Sequence, residues 1–490
     1  MKSWRVAIDL GAGSGRALVG SVGAAGVHFQ EAHRFQYAAR PSAGQLRWDA
    51  ARLFEGITVG LRKSAAIAAA HDARLVSVGV DSWGVDYGLL DAEGRLVEEP
   101  ICYRDARTDG VMEEVFRTVP RAEVFHRTGI QFLKLNTIYQ LYAHARAGIA
   151  PAAKRLLLIP DLVHHFLCGA QVSEHTNATT TQLLGLDGRW DESLFSRLAL
   201  PRSLMPDVVP AGSRLGSLRS ELGVGDLEVI APATHDTGSA VVGTPLAPGW
   251  AYVSSGTWSL VGVERSAPLT GAAVAAANFT NEGGAYGSVR FLKNVMGLWL
   301  LESCRKEWQS AGRVASLESL LAGAAASSSA IGFVYPDADR FFAPASMSAE
   351  IAAALGESDF PAPADEVSVT KVIVESLALR YASVVRTIER LTGGEVAGLH
   401  VVGGGSLNDA LNQATANASG KPVLAGPVEA TAIGNLLVQA VAAGEIASVA
   451  EGRRLVGEAL APRRFEPRDE APWREAGARY AEVESRAQPA

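Results

Sequence analysis

Residues 6–19 have the sequence Val6-Ala7-Ile8-Asp9-Leu10-Gly11-Ala12-Gly13-Ser14-Gly15-Arg16-Ala17-Leu18-Val19, which predicts a strand, a tight glycine turn and a second strand. Glycines with small neighbours let backbone N–H groups approach a phosphate closely. A P-loop is excluded because no Gly-Lys-Ser/Thr follows, and a dinucleotide fingerprint because the next residues are β-like instead of helical. Two interpretations remain: a phosphate-binding hairpin whose Asp9 holds hydrated Mg²⁺, and an ordinary hairpin with a glycine-rich turn.

A second stretch of similar design lies near residue 250, with the sequence Ala251-Tyr252-Val253-Ser254-Ser255-Gly256-Thr257-Trp258-Ser259-Leu260-Val261-Gly262-Val263. It again predicts a strand, a small polar turn and a strand. Because one such hairpin opens each half of the chain, we expect a duplicated nucleotide-binding architecture, with the phosphates in a cleft between two domains.

Length and composition agree with two large domains. The chain has 490 residues, too many for one compact core, and 48% of them are hydrophobic, as in a globular enzyme. The formal net charge is −7 and no long basic run occurs, which disfavours binding to nucleic acid or to an anionic membrane.

Three cysteines, Cys102, Cys168 and Cys304, are too widely spaced for a disulfide framework or a zinc cluster, so we expect reduced structural thiols. The residues after Met1 show no signal-peptide apolar stretch, and no apolar run reaches membrane-spanning length. We therefore expect a soluble, cytoplasmic protein. No heptads or self-pairing strand stand out, so the sequence does not decide whether the chain forms a homodimer.

Alternating strand and helix patterns in both halves predict an α/β fold. We place the domain boundary at residues 243–249, where glycines and prolines break regular structure, which gives domains 1–245 and 246–490. The second domain includes a predicted helix over residues 295–309 and an Ala/Ser-rich helix plus loop over residues 317–330.

In the first domain, residues 75–80 predict a buried strand, with residues 85–91 and 95–98 as its sheet neighbours. The residues that follow Val80 place two carboxylates, Asp81 and Asp86, beside Trp83. Carboxylates accept hydrogen bonds from hydroxyl groups and aromatic faces stack on C–H surfaces, so this edge suits a polyol. The alternative is a hairpin whose aspartates cap turns.

Residues 233–238, Ala-Thr-His-Asp-Thr-Gly, follow a predicted buried strand. A carboxylate at Asp236 is suited to take a proton from a hydroxyl group during attack on a phosphate. The alternative is that Asp236 is an N-cap. His235 is a hydrogen-bond donor to a substrate or a satisfied core histidine.

A further glycine loop occurs in the second half, where the strand that ends at Val402 is followed by Gly403-Gly404-Gly405 and a helix. Three consecutive glycines are entropically costly, which favours a ligand such as adenosine lying against the backbone. Residues 278–284 and 292–297 also carry amides and Lys293 that could reach a ligand, and turn chemistry explains the first of these equally well.

These motifs together resemble the FGGY carbohydrate kinases, of the sugar kinase/actin/heat-shock ATPase fold. The resemblance runs from residue 6 to about residue 438 and is carried by residues 9–16, 81–90, 103–108, 129–132, 136–141, 174–182, 235–237, 254–260, 281–284, 293–301 and 402–406. Within the family, Thr-Asn-Ala-Thr-Thr-Thr-Gln (176–182) and Asn-Glu-Gly-Gly (281–284) are typical of members that phosphorylate L-rhamnulose on its 1-hydroxyl.

The resemblance implies an ATP- and Mg²⁺-dependent kinase with two actin-like domains, the first carrying most of the sugar site and the second most of the nucleotide site. The implied catalytic base is Asp236. The implied substrate contacts are Gly84, His235, Asp236, Thr237 and Asn294. The implied ATP contacts are Gly13, Ser14, Gly15, Arg16, Thr257, Glu302 and Gly404, and the metal site is at Asp9.

Two departures from the family pattern affect the nucleotide contacts. Glu302 stands where glutamine is expected, and Gly13 stands where serine is expected, which removes a hydroxyl donor and keeps the backbone N–H. Two alternative functions stay open: a kinase for another ketose, such as L-fuculose or xylulose, and a non-catalytic sugar- or nucleotide-sensing module on the same fold.

Overall fold

The computed structural model describes residues 2–23, 26–313, 315–327 and 331–487. The chain forms two compact units of mixed helix and sheet. The first contains Met1–Pro245, Glu264–Phe291 and Ala430–Leu460, and the second contains Leu246–Val263, Leu292–Glu429 and Ala461–Ala490. The predicted domains were continuous, whereas the first compact unit also takes in two segments from the second half of the sequence.

The strands of the described residues are β1 (Lys2–Leu10), β2 (Ser14–Gly23), β3 (Gly26–Gln36), β4 (Arg40–Ser42), β5 (Gln45–Arg47), β6 (Ala73–Ser82), β7 (Tyr87–Leu90), β8 (Arg155–Leu158), β9 (Ser173–Glu174), β10 (Val208–Val209), β11 (Arg214–Ser217), β12 (Glu228–Ile230), β13 (Ala251–Ser255), β14 (Trp258–Arg265), β15 (Thr280–Gly283), β16 (Val289–Met296), β17 (Leu399–Val402), β18 (Val423–Ala425) and β19 (Arg463–Phe465).

The α-helices of the same residues are α1 (Ala50–Ala70), α2 (Val111–Thr118), α3 (Arg121–Thr128), α4 (Thr137–Ala147), α5 (Ile159–Cys168), α6 (His175–Ala178), α7 (Glu192–Arg197), α8 (Asp236–Gly243), α9 (Ala272–Ala276), α10 (Trp299–Ser310), α11 (Leu317–Ala326), α12 (Met347–Glu357), α13 (Glu366–Thr392), α14 (Asp409–Ser419), α15 (Ala430–Ala442), α16 (Val449–Ala459) and α17 (Glu470–Ala487).

A six-stranded sheet with the order β11-β12-β6-β1-β2-β3 forms the centre of the first unit. The predicted hairpin is its middle: β1 pairs antiparallel with β2 and, on its other edge, parallel with β6. β12 extends the parallel part by pairing with β6. Parallel strands end at the same edge of a sheet, so the residues that follow β1, β6 and β12 lie at one edge.

The second unit repeats this pattern around the second predicted hairpin. β13 pairs antiparallel with β14 and parallel with β17, and β17 pairs parallel with β18. An antiparallel strand closes each arrangement, β11 beside β12 in the first unit and β19 beside β18 in the second. The duplicated architecture expected from the two hairpins is therefore present in the strand order.

Three local predictions were wrong, and a fourth lies partly outside the described residues. Residues 95–98 form no strand, and β7 pairs with β8 instead of β6, because its partner comes from distant sequence. The helix predicted from residue 295 begins at Trp299, since residues up to Met296 continue strand β16. The stretch 317–330 begins with α11, and its residues 328–330 are not among those described.

The three cysteines are free, two of them buried, as expected for structural thiols. No helix within the described residues combines the length and the apolar character needed to cross a membrane.

Helix α15 packs against α8 in the first unit through glycines that allow very close approach. A Cβ atom on Gly434 would lie 1.8 Å from the backbone oxygen of Ser239, and one on Gly243 would lie 2.1 Å from the backbone oxygen of Ala430. Buried apolar side chains of α15, such as Ile433 and Leu437, join the core of this unit. The close approach thus attaches a late segment of the chain to the first unit.

We predict that Gly434→Ala lowers the free energy of unfolding by about 2 kcal/mol or more, because the backbone of α8 cannot move away from the new methyl group without loss of packing. Gly477→Ala is the matched control: Gly477 lies within α17 and no heavy atom would lie within 4 Å of its Cβ. Alanine there raises helix stability by roughly 0.5–1 kcal/mol. Differential scanning calorimetry checks both, and an unchanged unfolding temperature for Gly434→Ala would contradict the packing argument.

Candidate active site

Carboxylates from two neighbouring strands converge at the edge of the first unit's sheet. Asp9 and Asp81 are register partners in the parallel pair β1–β6. The next residue, Ser82, donates its backbone N–H to the Thr234 oxygen over 2.8 Å, which brings the segment that contains Asp236 to the same edge. Three carboxylates predicted from separate motifs therefore lie close together within one unit.

The Asp9 carboxylate pairs with Arg16, which lies opposite it in the hairpin register. Oδ2 of Asp9 accepts hydrogen bonds from Arg16 Nε (2.8 Å) and Nη2 (2.7 Å). Arg16, which the resemblance implied to be a nucleotide contact, therefore also neutralises the aspartate at the end of β1.

Close packing explains one of the turn glycines and leaves another open. A Cβ on Gly15 would lie 2.4 Å from the Phe35 ring, so a side chain at Gly15 is excluded by protein atoms. A Cβ on Gly13 would meet nothing within 4 Å. Backbone bonds from Gly11 N to Ser14 O (2.9 Å) and from Gly13 N to Gly11 O (2.8 Å) keep the turn tight. The open side at Gly13 leaves room for a ligand beside the turn, as the phosphate-binding interpretation requires.

Asp81 is fully buried and depends on a partner from the segment 430–460. Asn435 on α15 donates its side-chain N–H to Asp81 Oδ2 over 2.6 Å. Burial raises the pKa of the Asp81 carboxyl well above its usual range; Asp9 and Asp236 add to the rise, and the Asn435 hydrogen bond opposes it. Asn435 had no role assigned from sequence, because nothing local links it to a strand more than 350 residues earlier.

Asp86 organises an aromatic wall near Gly84. Its Oδ2 accepts hydrogen bonds from Trp48 Nε1 (2.7 Å), Trp83 Nε1 (3.1 Å) and the Tyr103 backbone N–H (3.1 Å). The Trp48 and Trp83 rings lie 4.7 Å apart between centroids. Asp86 is thus more than a turn cap, since it fixes two indole rings of the type that stacks on sugar C–H faces.

The remaining Asp86 oxygen, Oδ1, accepts from Gln140 Nε2 on α4 over 3.0 Å. Burial raises the pKa of Asp86 to about 6, and the hydrogen bonds from Trp48, Gln140 and Trp83 limit the rise. Neither Trp48 nor Gln140 was assigned a role from sequence, although Gln140 lies in one of the family-like segments.

Gly84, an implied substrate contact, is held against the 3₁₀ turn at Thr179–Thr181. A Cβ on Gly84 would lie 2.9 Å from Thr180 Oγ1, and the same hydroxyl accepts from the Val85 backbone N–H over 3.2 Å. Protein packing therefore explains why this position is glycine.

Asp236 is the first residue of α8, and His235 is its N-cap. The N-cap alternative for Asp236 is therefore wrong. Its Oδ1 accepts hydrogen bonds from the backbone N–H and Oγ1 of Thr237. The side chain is 32% exposed, so it remains accessible. Desolvation raises the pKa of Asp236, and Asp9 adds to the rise, whereas a positive charge on His235 and the Thr237 hydrogen bonds lower it.

Glu174 fixes the segment that carries His235 and Asp236. Its Oε2 accepts from the backbone N–H of Thr234 (2.9 Å), from Thr234 Oγ1 (2.9 Å) and from Thr176 Oγ1 (2.5 Å). Thr176 Oγ1 in turn accepts from the His235 backbone N–H over 3.1 Å. The family-like segment 174–182 therefore supports the candidate base, a role that its sequence alone did not reveal.

His235 also contacts two charged residues of the first unit. Arg290 Nη2 lies 3.0 Å from His235 Nδ1, and Glu282 Oε2 lies 3.4 Å from the same nitrogen. His235 Nε2 lies 3.4 Å from Asp236 Oδ1. The segment around Glu282 stood out in the sequence without an assigned role, and Arg290 carried no local signal.

In the second unit, the turn at Thr257 packs against Gly297. The Thr257 backbone oxygen accepts from Gly297 N (3.1 Å) and Trp299 N (3.2 Å). A Cβ on Gly297 would lie 2.6 Å from Ser259 Oγ. Asn294 lies just upstream, half-buried on β16. The structure thus connects the second hairpin to the segment that contains Asn294.

The three consecutive glycines after β17 differ in their surroundings. Gly403 has a φ of +79°, and a Cβ there would lie 2.9 Å from the Ser255 backbone oxygen. A Cβ on Gly405 would lie 2.0 Å from Ser255 Oγ. Gly404 is exposed, with no heavy atom within 4 Å of a Cβ. Packing explains Gly403 and Gly405, and Gly404 is left as the position whose open side is free for a ligand.

Glu302, the departure from the family pattern, lies in the first turn of α10 and is 48% exposed. Its carboxylate pairs with Arg305 (3.0 Å) and approaches Lys306 (3.9 Å) on the same helix. These residues line a surface pocket of about 540 Å³. Contact between Glu302 and a nucleotide stays a prediction.

Among the described residues, no group of three or more His, Cys, Asp or Glu side chains has the arrangement of a metal site. Asp9 nevertheless supplies the hard oxygen donor that Mg²⁺ prefers, and Mg²⁺ usually keeps several waters with only one or two protein carboxylates. The donor chemistry at Asp9 therefore fits a hydrated Mg²⁺.

The chain is similar to known carbohydrate kinases along most of its length. Residues 4–243 match the profile of the N-terminal domain of the FGGY family of carbohydrate kinases, and residues 251–443 match that of its C-terminal domain. Rhamnulokinase from Bacteroides thetaiotaomicron is 40% identical over 481 residues, covering 96% of this chain and 98% of the relative. Rhamnulokinase from Halalkalibacterium halodurans is 41% identical over 94% of this chain and 98% of the relative.

Solved structures share the fold at low sequence identity. Gluconate kinase from Lactobacillus acidophilus superimposes with a TM-score of 0.79 at 13% identity, covering 99% of this chain and 98% of that one. Plasmodium falciparum glycerol kinase with ADP superimposes with a TM-score of 0.76 at 12% identity, covering 100% and 99%. The predicted two-domain α/β kinase fold is confirmed.

We predict that tryptophan fluorescence changes as pH rises through about 6, because Asp86 ionises there while it accepts from the indoles of Trp48 and Trp83. Asp86→Asn removes this step, and Asp187→Asn, on an exposed turn of the same unit, retains it. A step of unchanged size and midpoint in Asp86→Asn would contradict the assignment.

The sign for stability follows from the raised pKa of Asp86. The folded state favours the protonated carboxyl of Asp86. Its contribution to the free energy of unfolding is therefore complete below the ordinary pKa of 3.8 and is lost as pH rises through about 6.

Proposed function

We propose that this chain, which belongs to the FGGY family of carbohydrate kinases as its motifs predicted, transfers the γ-phosphoryl group of ATP to the 1-hydroxyl of L-rhamnulose. The observation that carries the proposal is the similarity at about 40% identity, over almost the whole chain, to several relatives named rhamnulokinase. The geometry of the first unit supports it, because the candidate base Asp236 and the carboxylates of Asp9 and Asp81 lie close together there.

Phosphoryl transfer requires a proton acceptor for the attacking hydroxyl group, and we assign that role to Asp236. A carboxylate with a raised pKa is a better proton acceptor near neutral pH than an ordinary one. Thr237 holds one oxygen of Asp236 through two hydrogen bonds, which orients the carboxylate at the start of α8. Its exposed fraction leaves it open to a substrate hydroxyl.

For the sugar we assign the surface around Gly84, His235 and Thr237, with the indole rings held by Asp86 beside it. Polar groups that are already bonded to protein partners stay in place when a ligand arrives, so they select among sugar hydroxyl arrangements. Asn294 of the second unit remains a predicted substrate contact from the family resemblance.

For the nucleotide, the open sides at Gly13 and Gly404 support the implied contacts in each unit, together with Ser14, Arg16 and Thr257. Asp9 would hold Mg²⁺ through water, and the bound metal would supply positive charge to the phosphate groups of ATP. Arg16 supplies a second positive charge at the same carboxylate, and the hairpin turn supplies backbone N–H donors.

We predict that L-rhamnulose gives the highest kcat/KM among ketoses. A missing or inverted hydroxyl leaves a polar group of the site without its partner, and such a loss typically costs about 1–3 kcal/mol. The measurement is coupled ADP release with L-rhamnulose, L-fuculose, L-ribulose and D-xylulose. A clear preference for another ketose would overturn the substrate and leave the kinase class, whereas ADP release with none of them would overturn both.

We predict that Asp236→Asn lowers kcat by about 10²–10⁴-fold and leaves sugar and ATP binding largely intact, because asparagine has the same shape and cannot accept the proton. The control Asp187→Asn retains full turnover. In the wild type, kcat falls as pH drops through the raised pKa of Asp236, so the acid limb lies above the ordinary aspartate value of 3.8. Stopped assays measure turnover, and binding calorimetry measures the affinity for sugar and for ATP. Near-normal turnover in Asp236→Asn would exclude Asp236 as the base.

A further inference from the structure

We propose that Arg290 and Glu282 are positioning residues for the reaction, and that they hold His235 as a neutral imidazole with its proton on Nε2, facing Asp236. The inference rests on the proposed function, in which Asp236 is the base. The geometry that carries it is a chain of contacts within the first unit from Gly283 through Arg290 and His235 to Asp236.

The contact with Arg290 determines which nitrogen of His235 carries the proton. Arg290 Nη2 lies 3.0 Å from His235 Nδ1. A guanidinium has only donors and keeps its charge in proteins, so the nitrogen that it contacts must accept. A neutral imidazole whose Nδ1 accepts carries its proton on Nε2. Nε2 is the nitrogen that lies 3.4 Å from Asp236 Oδ1.

Arg290 is held in a fixed position by its own contacts. Its side chain is 0% exposed, and its Nε donates to the Gly283 backbone oxygen over 2.9 Å. Its Nη1 lies 3.1 Å from Glu282 Oε2, and Glu282 is 5% exposed. The guanidinium therefore makes hydrogen bonds through Nε and Nη2 and an ion pair with Glu282 through Nη1, an arrangement that the single ammonium group of a lysine cannot reproduce.

Glu282 acts on the protonation of His235 in the opposite direction to Arg290. Its Oε2 lies 3.4 Å from His235 Nδ1, and a carboxylate there favours a protonated Nδ1. Arg290 is closer to Nδ1, at 3.0 Å, and its charge compensates that of Glu282. Without Arg290, His235 would lie between two carboxylates, Glu282 and Asp236, and would be held as an imidazolium.

The protonation state of His235 affects Asp236, the proposed catalytic base. A neutral Nε2–H donates a hydrogen bond toward Asp236 or toward the sugar hydroxyl beside it. An imidazolium at the same place would lower the pKa of Asp236 and weaken it as a proton acceptor. Asp236, Glu282 and Arg290 face the imidazole, and Glu174 lies next to it through Thr176 and Thr234. Arg290 thus preserves the basicity of Asp236 without touching the substrate.

Stability alone does not account for this pair. Removing two charges from water costs free energy that a buried ion pair often fails to recover, so apolar residues of similar volume would serve a structural role equally well. The position of the pair against the histidine beside the candidate base indicates a functional reason for keeping it.

The direct test is ¹⁵N NMR of the full-length protein labelled at histidine, with His235→Asn used to assign the His235 signals. We expect an unprotonated Nδ1 and a protonated Nε2 at neutral pH. A proton on Nδ1, in either a neutral or a charged ring, would overturn the inference. This readout needs no sugar and no turnover, so it is independent of whether L-rhamnulose is the substrate.

The kinetic test compares Arg290→Met with the double variant that also carries Glu282→Gln. Arg290→Met should lower kcat more than it changes KM and move the acid limb of the kcat profile down by about one pH unit or more, because an imidazolium beside Asp236 lowers its pKa. The added Glu282→Gln removes the carboxylate that favours the imidazolium, so it should return the limb toward the wild type. Arg95→Met, which breaks an exposed ion pair, is the control and should leave the profile unchanged.

A structural role for the pair would give a different result. Arg290→Met would then lose activity at every pH with an unmoved limb, and the second substitution would add to the loss. That outcome would overturn the inference, as would an imidazolium signal in the wild type. If Arg290→Met does not fold, Glu282→Gln alone decides: it should retain the wild-type acid limb or move it to lower pH, and a shift to higher pH would overturn the inference.

Discussion

The convergence of carboxylates at the end of parallel strands is the constraint on which the first unit depends. Asp9 and Asp81 are register partners, and hydrogen bonding of Ser82 to Thr234 brings Asp236 to the same edge. Like charges that share a poorly solvated region raise one another's pKa values. Each carboxylate therefore needs its own compensating partner.

The compensating partners come from different parts of the sequence. Arg16 lies opposite Asp9 in the hairpin, Asn435 reaches Asp81 from α15, and the Asp236 carboxylate is bonded by Thr237 and approached by His235. The need for Asn435 at Asp81 gives a physical reason why the segment 430–460 packs with the first unit. Asp236 keeps the largest exposed fraction of the three carboxylates, as a base that must meet a substrate requires.

Local sequence predicted what local physics determines. Both hairpins, their glycine turns and the start of α8 at Asp236 follow from alternation, turn residues and a short buried strand before a helix. The same reasoning could not tell glycines required by packing from those left open: Gly15 is explained by the side chains of Phe35 and Leu10, and Gly405 by Ser255. Such contacts are defined only once the strands have paired.

Other parts of the site had no local signal. Arg290 lies in an ordinary strand pattern, and only its complete burial beside His235 marks it. Gln140 and Glu174 lie in family-like segments, yet their bonds to Asp86 and Thr234 appear only in the folded chain. The inclusion of residues 264–291 in the first unit likewise depends on tertiary packing, which periodicity in the sequence does not encode.

In the proposed reaction, the carboxylate edge of the first unit directs the γ-phosphoryl group to one hydroxyl of a ketose. ³¹P NMR of the reaction of the wild-type protein with ATP, Mg²⁺ and L-rhamnulose tests it most directly. We expect a phosphomonoester whose phosphorus couples to the two protons of C1, formed in equal amount with ADP. An ester whose phosphorus couples to a single proton, or inorganic phosphate as the only new product besides ADP, would contradict it.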